Sequence, residues 1–167
     1  QLKINGHAIE ARICAENPDN NFLPATGSLN VYRKPSHSAF ERSELSDASI
    51  AVRIDDGVRE GDAISPYYDS MIAKLIVHGA TREEALAKMD RALSETHIVG
   101  LATNVQFLRH VVTSDSFTQA RLDTALIQRE EKVLFSQEKL PFSQSISAVI
   151  AHVLIAERTL QTTDPFS

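Results

Sequence analysis

The stretch SPYYDSMIAKLIVHG, residues 65–79, decides the fold because it joins a turn to an almost unbroken apolar run. The proline and two tyrosines near its start predict a turn, and the apolar residues of Met71–His78 predict an interior strand. Lys74 is the one charge inside that run. A buried ammonium without a partner would lose its charge or destabilise the fold, so we expect Lys74 to reach an acid such as Asp69 or Glu10.

The residues on the N-terminal side of this run predict further strands. HAIEARICAE, residues 7–16, alternates strictly between two faces, as a half-buried strand does. Its polar face carries Glu10 and Arg12, which either form a surface ion pair, the more common outcome, or line a site. Three more segments predict short strands: SLNVYRKP (28–35), SAFERSEL (38–45) and SIAVRIDD (49–56).

After residue 80 the apolar period changes from two to between three and four, which predicts helices. Thr81 and Glu84 form a capping box at the start of the first helix, and Gly100 is expected to end that region. Two more helices are predicted in TNVQFLRHVVTSD (103–115), capped by Thr103 or Asn104, and near the end of SFTQARLDTALIQREEKVLF (116–135). Strands first and three helices second indicate an α+β domain built on an antiparallel sheet.

The last segment has a different character. Residues 136–144 are polar with one proline and resemble a linker, while SISAVIAHVLIAERTLQ, residues 145–161, predicts an extra C-terminal helix that is apolar on more than one face. Such a helix needs to be surrounded, so we expect its packing partner to come from elsewhere. We therefore divide the chain into a domain at 1–136 and a linker with the first helix of a following domain at 137–167. The strand-like start at Gln1 suggests a piece of a longer polypeptide.

Composition excludes several classes of protein. A chain of 167 residues with 43% hydrophobic and 23% charged residues is typical of one globular domain. The net charge of -5 has no basic stripe, which argues against a nucleic-acid platform, and no apolar run reaches the roughly 18 residues that a membrane span needs. The single cysteine, Cys14, rules out an intrachain disulfide and suits a reducing compartment such as the cytoplasm.

Motifs for independent catalysis are missing from the sequence. The six histidines show no HExxH or HxxxH spacing, so no metal site is predicted, and no glycine-rich phosphate loop or GxSxG elbow occurs. One candidate remains: Arg53, on the polar face of a predicted strand, where an arginine can stabilise an oxyanion or a carboxylate. The spacing alone favours a simpler interpretation, a surface ion pair between Arg53 and Asp55.

Several blocks, in this order and spacing, resemble the C-terminal domain of biotin carboxylase: GHAIEARICAENP, FLPATG, VRIDDGVREGDAISPYYDSMIAKLIVHG, TREEALAKMDRAL and GLATNVQFLRHV. The resemblance covers about residues 4–128. Biotin carboxylase is the component of biotin-dependent carboxylases that carboxylates biotin with ATP and bicarbonate. The resemblance implies that an ATP-grasp portion, with the Mg-binding acids and catalytic lysines, precedes this chain, and that a biotin carrier domain follows it or lies on another chain.

The same resemblance implies roles for two residues. Arg53 would hold the ureido oxygen of biotin as the enolate form develops. In the order that the family implies, ATP converts bicarbonate to carboxyphosphate, which releases CO2, and the phosphate left behind removes the N1 proton before N1 attacks CO2. Thr124, near RLDTAL, would touch the adenine edge of ATP. The tyrosines of PYYD and Asp69 would then brace the strand that carries Arg53.

The resemblance also leaves alternatives open. The tail is similar to the start of the domain that joins the biotin carboxylase to a carboxyltransferase in acyl-CoA carboxylases, with the methylcrotonyl-CoA type favoured over propionyl-CoA, geranyl-CoA or pyruvate relatives. A homo-oligomer is expected in the full enzyme, in the cytoplasm or, in a eukaryote, in the mitochondrial matrix. Alternatively, the chain is chiefly a non-catalytic assembly module.

Overall fold

The structure is a computed structural model that describes residues 3–38, 52–65, 67, 69–136 and 141–162. Its strands are β1 (His7–Cys14), β2 (Glu16–Asn17), β3 (Leu23–Pro24), β4 (Gly27–Ser28), β5 (Val31–Arg33), β6 (Val52–Asp56), β7 (Ala63–Ile64), β8 (Met71–Gly79) and β9 (His97–Val99). Its helices are α1 (Arg82–Ser94), α2 (Val105–Thr113), α3 (Asp115–Thr118), α4 (Leu126–Arg129), α5 (Glu131–Leu134) and α6 (Phe142–Thr162). The chain forms two compact units, Gln1–Phe135 and Ser136–Ser167.

The centre of the first unit is a three-stranded antiparallel sheet in the order β1-β8-β6. Leu75 of β8 lies opposite Ala11 of β1 and Ile54 of β6, and all three are buried. The apolar run at 71–79 is thus an interior strand, as predicted, with hydrogen-bonded neighbours on both edges. Its apolar side faces helix α1, so one face of the sheet is core and the other is polar.

Helix α1 forms for the reasons that the sequence indicates. The Thr81 hydroxyl accepts a hydrogen bond from the Glu84 N–H at 3.2 Å, which satisfies one of the free donors of the first turn. The Glu84 carboxylate accepts from the N–H of Ala80 at 2.7 Å, one residue before the expected position of the reciprocal bond. The inward face of the helix is buried as predicted and consists of Ala85, Leu86, Met89, Ala92 and Leu93.

Gly100 does not end α1, which contradicts the prediction made from its position. The helix ends at Ser94, and β9 follows and pairs antiparallel with β5. Gly100 has a φ of +120°, and a Cβ on it would collide with the Ser28 carbonyl oxygen. A glycine is therefore required because the backbone passes β4 closely and adopts a conformation that side chains disfavour.

The predicted third helix is divided into single turns. The hydroxyl of Ser114 caps α3 by accepting from the Phe117 N–H at 3.3 Å, and Ala120 then takes a left-handed φ of +55°, which ends the turn. Buried Leu126 and Leu134 hold α4 and α5 on the rest of the unit. The α+β order of strands followed by helices is confirmed, with this segment more broken than periodicity predicts.

Helix α6, in the second unit, is the predicted extra C-terminal helix. It has 21 residues and leaves a row of large apolar side chains exposed: Phe142, Ile146, Val149, Ile150, Val153, Leu154 and Ile155. No helix within the described ranges is long and apolar enough to cross a membrane.

Candidate functional site

Five charged side chains lie on the outer face of the central sheet, which we call the polar sheet face: Glu10, Arg12, Arg53, Asp55 and Lys74. The register places Lys74 of β8 between Arg12 of β1 and Asp55 of β6. Directly opposed residues of antiparallel strands project to the same side, so these three charges form one row across the sheet. Glu10 and Arg53 lie in the next row, on either side of Ile76.

The backbone around Arg53 is held on both edges of β6. On one edge, Arg53 is paired with Ile76 of the interior strand. On the other, Ser38 forms a parallel bridge with Arg53: its N–H donates to the Val52 carbonyl at 3.0 Å, and its carbonyl accepts from the Ile54 N–H at 3.0 Å. Most of the predicted strand at 38–45 lies outside the described residues, and Ser38 is the described residue that touches β6. The Cα of Arg53 is therefore fixed by hydrogen bonds on each side.

The guanidinium of Arg53 is oriented by Asp55, two residues along the same strand. Nε donates to Oδ1 at 2.8 Å and Nη2 donates to Oδ2 at 2.6 Å, a bidentate ion pair. The hydrogen bond from Arg53 is the main reason that the pKa of Asp55 lies below its usual value, and the nearby charge of Lys74 adds to the effect. Asp55 in turn raises the pKa of Arg53. The predicted Arg53–Asp55 pair is confirmed.

The other charges of the polar sheet face pair differently from the expectation for Lys74. Glu10 contacts Arg12, with Oε1 and Nε 3.5 Å apart, which confirms the surface ion pair. Asp69 accepts a hydrogen bond from the Met71 N–H at 3.0 Å. The proposed partners of Lys74 are thus engaged elsewhere, and its neighbouring acid is Asp55. Lys74 is tolerated in an interior strand because its side chain lies on the polar face.

The predicted brace from the PYYD segment to β6 is also wrong for the residues that the structure describes. Asp69 acts at the start of its own strand, β8, and Tyr67 is 89% exposed. Pro66 and Tyr68 lie outside the described residues. Ser70 connects the segment to the residues that follow β1: its carbonyl accepts from the Ala15 N–H at 2.7 Å, and its hydroxyl donates to Glu16 of β2 at 2.6 Å.

Asn104 is a structural residue whose role the sequence did not reveal. It occupies the N-cap of α2, as one predicted alternative had it, but its side chain makes no capping bond. Instead, its Oδ1 accepts from the Cys14 N–H at 2.9 Å and its Nδ2 donates to the Arg12 carbonyl at 3.0 Å. The amide thus fastens α2 to the edge of β1. Burial raises the pKa of the Cys14 thiol, which agrees with a structural rather than a nucleophilic cysteine.

The second predicted site residue, Thr124, lines a cavity of about 710 Å³. The described lining residues are Pro18, Asp19, Asn21, Phe22, Thr124, Ile127, Gln128, Glu131 and Phe135. The loop before α4 is braced by Asp123, which accepts from Arg129 Nη1 at 2.8 Å and from the Ala125 N–H at 3.0 Å. Arg53 is not among the described lining residues, so the structure assigns the two predicted site residues to separate surfaces.

An aromatic cluster forms one wall of this cavity. The ring of Phe22 meets Phe107 of α2 edge to face at 4.8 Å between centroids, and Phe135 at 5.9 Å. Asn21 and Phe22, which precede and carry that ring, have left-handed φ values of +51° and +57°. A bulky residue rarely takes this strained conformation, which is kept only where the surrounding contacts hold the backbone in it. The cavity therefore has a preformed wall of flat apolar surface beside polar Thr124 and Gln128.

The two surfaces differ in what they can do chemically. A guanidinium that is held on a strand can stabilise negative charge on a ligand oxygen. A cavity with aromatic walls and a few polar groups can accept a flat, partly polar ligand. Within the described ranges, no group of three or more His, Cys, Asp or Glu side chains is arranged to hold a metal ion.

Comparisons with known proteins give a consistent result. A family model described as the biotin carboxylase C-terminal domain matches residues 10–129. The alpha subunit of the mitochondrial methylcrotonoyl-CoA carboxylase of Dictyostelium discoideum is 40% identical over 161 residues, which cover 96% of this chain and 22% of that protein. The corresponding subunit of Oryza sativa subsp. japonica is 40% identical over 163 residues, with 95% and 21% covered. This chain thus spans about a fifth of the length of these curated relatives.

A solved structure shares the fold. The biotin carboxylase domain dimer of the Hydrogenobacter thermophilus 2-oxoglutarate carboxylase, in complex with MgADP, ADP and bicarbonate, superimposes with a TM-score of 0.72 at 30% identity. The match covers 82% of this chain and 28% of that one.

Proposed function

We propose, because this chain belongs to the biotin carboxylase C-terminal domain family, that it completes a site at which biotin N1 is carboxylated with ATP and bicarbonate. The activity is a ligase activity of a longer polypeptide, since this chain spans 22% and 21% of the two relatives described above. In this proposal an ATP-grasp portion of the same polypeptide holds Mg and most of the ATP, and this chain adds a part of the biotin pocket and an edge of the nucleotide pocket.

The observation that carries the proposal is the placement of Arg53. The strand around it is hydrogen-bonded on both edges, to β8 on one side and through Val52 and Ile54 to Ser38 on the other, and its guanidinium is oriented by Asp55. Such a group is a rigid donor, suited to an oxygen that becomes negative during the reaction. In the proposed reaction ATP and bicarbonate give carboxyphosphate, which releases CO2, and phosphate takes the N1 proton before N1 attacks CO2.

Arg53 acts when phosphate takes the N1 proton and N1 then attacks CO2. When N1 loses its proton, negative charge spreads to the ureido oxygen of biotin, and the guanidinium stabilises that charge more than it stabilises neutral biotin. Interactions that are stronger in the transition state than in the ground state raise the rate. Arg53 is accordingly the catalytic residue that this chain contributes, and it also binds biotin.

Thr124 has the second role in the proposal, at the edge of the adenine nucleotide. It lines the cavity beside Phe22 and Gln128, where an aromatic wall and polar groups fit a flat base with hydrogen-bonding edges. The assignment is a contact only, with no part in the chemistry.

The proposal is tested by Arg53→Ala in the polypeptide that joins this chain to its ATP-grasp portion. Biotin-dependent ATP cleavage with free biotin should fall about 100- to 1,000-fold, the usual cost of losing one transition-state donor. Bicarbonate-dependent ATP cleavage without biotin should change little, because Arg53 acts after carboxyphosphate forms. Arg12→Ala is the matched control, since Arg12 lies on the same polar sheet face and also pairs with an acid two residues away.

The control should keep the wild-type rate in both assays. If Arg53→Ala carboxylates free biotin at the wild-type rate, Arg53 is not catalytic and the proposal fails. If Arg12→Ala loses as much activity as Arg53→Ala, the effect belongs to the charge of the whole face rather than to one donor.

A second role, in assembly, is favoured by helix α6. Its exposed apolar side chains suit a helix that other elements surround. The match over 96% of the chain necessarily includes most of Ser136–Ser167, so we propose that residues 137–167 begin the domain that joins the biotin carboxylase to a carboxyltransferase, as in the methylcrotonoyl-CoA type. Adding this chain to a truncated ATP-grasp portion separates the roles: rescue by wild type but not by Arg53→Ala supports catalysis, and rescue by both supports assembly.

The remaining partners follow from the same proposal. Biotin would arrive on a carrier domain, a carboxyltransferase would consume the carboxylated biotin, and the assembled enzyme would be a homo-oligomer, as the Hydrogenobacter thermophilus domain is a dimer. The two curated relatives are named as mitochondrial. We place this chain in the mitochondrial matrix if its source is a eukaryote and in the cytoplasm otherwise.

A further inference from the structure

Asp55 stands in an unusual relation to Arg53 for a surface ion pair. Both residues belong to β6 and are two positions apart, so their side chains project from the same face of the strand. The carboxylate of Asp55 accepts two hydrogen bonds from the guanidinium, from Nε to Oδ1 at 2.8 Å and from Nη2 to Oδ2 at 2.6 Å. Two parallel hydrogen bonds fix the plane of a guanidinium, whereas a single contact leaves it free to rotate.

The neighbouring pair on the polar sheet face shows what a looser arrangement looks like. Glu10 and Arg12 are also two positions apart on one strand, but they make one contact of 3.5 Å, and the Arg12 side chain is 68% exposed. The Arg53 side chain is 41% exposed and that of Asp55 is 27% exposed. Of these two i, i+2 pairs, only the one that contains Arg53 has fork geometry and partial shielding from water.

Lys74 adds a second cation near Asp55, on the neighbouring strand β8. The register places Lys74 directly opposite Asp55 across the β6–β8 pair. Its charge helps to keep the pKa of Asp55 below the usual carboxyl value, although the hydrogen bond from Arg53 is the larger cause. Asp55 therefore remains an acceptor-only carboxylate near neutral pH, which is the form that a bidentate arginine requires. This also explains why an interior strand carries a lysine at this position.

We propose that Asp55 is a positioning residue for the biotin half of the reaction: it holds the guanidinium plane of Arg53 in the orientation that receives the developing charge on the ureido oxygen. Asp55 does not touch biotin and acts only through Arg53, so the inference rests on the proposed function. An arginine side chain has many rotamers, and holding one of them in advance removes an ordering step from the approach to the transition state.

The test compares Asp55→Asn with Asp55→Glu in the polypeptide that contains the ATP-grasp portion. Asparagine has one acceptor oxygen and replaces the other with a donor, so it cannot form the fork, whereas glutamate keeps a bidentate carboxylate. Biotin-dependent turnover of Asp55→Asn should fall about 10- to 100-fold, the cost of misplacing a catalytic group by about 1 Å. Asp55→Glu should restore most of that loss, and biotin-independent ATP cleavage should keep its wild-type rate in both variants.

The matched control is Glu10→Gln, which neutralises the acid of the looser pair on the same face. It should leave biotin-dependent turnover unchanged. A structural role for Asp55 would instead lower the biotin-independent cleavage in parallel, or would make Glu10→Gln equally harmful, and either result overturns the proposal.

The failure of this inference is distinguishable from the failure of the proposed function. Wild-type or raised turnover in Asp55→Asn, together with a loss in Arg53→Ala, overturns the positioning role and leaves the catalytic role of Arg53 intact. Wild-type turnover in both variants overturns the proposed function itself.

Discussion

Arg53 and Thr124 are held by two different kinds of structure. Arg53 lies on a strand whose neighbour, β8, packs Leu75 completely into the core. On the other edge of that strand, Val52 and Ile54 on either side of Arg53 are hydrogen-bonded to Ser38. Thr124 lies beside single-turn helices, in a cavity whose wall depends on Phe22 in a left-handed conformation. The sheet fixes one side chain through regular pairing, whereas the cavity obtains its shape from irregular local contacts.

This difference indicates how each region serves its proposed role. Stabilising charge at one oxygen requires an accurately placed donor, and a paired strand with a buried face provides it. Receiving the edge of a base requires mainly surface shape and a few polar groups, which loops and short helices can form. The two regions should therefore respond differently to substitution, both in stability and in the substrate that they affect.

The largest expected difference is in stability, between Leu75→Ala and Ile127→Ala. Leu75 is fully buried in the interior strand, so its truncation should lower the free energy of unfolding by about 2–5 kcal/mol. Ile127 lines the cavity and is 48% exposed, so its truncation should cost less than about 1 kcal/mol. Denaturant unfolding of the two variants measures both values. Equal losses would show that the cavity region is as firmly anchored as the sheet.

The next effect concerns the wall of the cavity. Phe22→Ala removes two ring contacts, to Phe107 and Phe135, and should lower the free energy of unfolding by about 1–3 kcal/mol. Because the ring shapes the cavity of Thr124, the KM for ATP should rise while the KM for biotin stays constant in the polypeptide that contains the ATP-grasp portion.

Phe117→Ala is the control for that prediction. The guanidinium carbon of Arg82 lies over the ring of Phe117, 5.2 Å from the centroid of that ring. Phe117 does not line the described part of the cavity. This variant should lose stability without a change in the KM for ATP. An unchanged KM for ATP in Phe22→Ala would mean that the cavity near Thr124 does not take part in nucleotide binding.

The sheet was predictable from sequence to a much greater extent than the cavity. Alternation at 7–14 and the apolar run at 71–79 identified β1 and β8, because burial of one face imposes a period that local sequence carries. The same spacing identified the Arg53–Asp55 pair as two residues on one face. Which acid would lie beside Lys74 depends on strand register, and register is a property of the paired strands that neither strand shows alone.

The cavity wall and several contacts elsewhere in the first unit depend on features that leave little periodic signal in the sequence. The left-handed residues Phe22 and Ala120 are of types that seldom adopt that conformation, so only their tertiary contacts explain it. The amide of Asn104 was assigned to a cap because N-caps are its commonest local role, but two backbone groups of β1, 90 and 92 residues away in sequence, take its hydrogen bonds instead. Long-range competition of this kind cannot be inferred from spacing.

The smallest expected effect is the response of the two regions to acid. Arg53 lowers the pKa of Asp55 on the sheet, and Arg129 lowers the pKa of Asp123 beside the cavity. A carboxyl whose pKa is lower in the folded state stabilises the fold above its unfolded pKa, and that contribution is lost as the pH falls through the folded pKa. Both contributions should therefore be present at neutral pH and disappear below about pH 4.

Replacing either acid with asparagine should slightly weaken the loss of folding stability at acid pH. The effect is small because exposed ion pairs contribute little to stability. The two sites should also differ from each other. Lys74 contributes to the lowered pKa of Asp55, so Lys74→Met should raise the pKa of Asp55 and leave that of Asp123 unchanged. Carboxyl titration by NMR in wild type and Lys74→Met measures both pKa values. If Lys74→Met leaves the pKa of Asp55 unchanged, the row of charges across the sheet does not act as a unit, and the orientation of Arg53 depends on Asp55 alone.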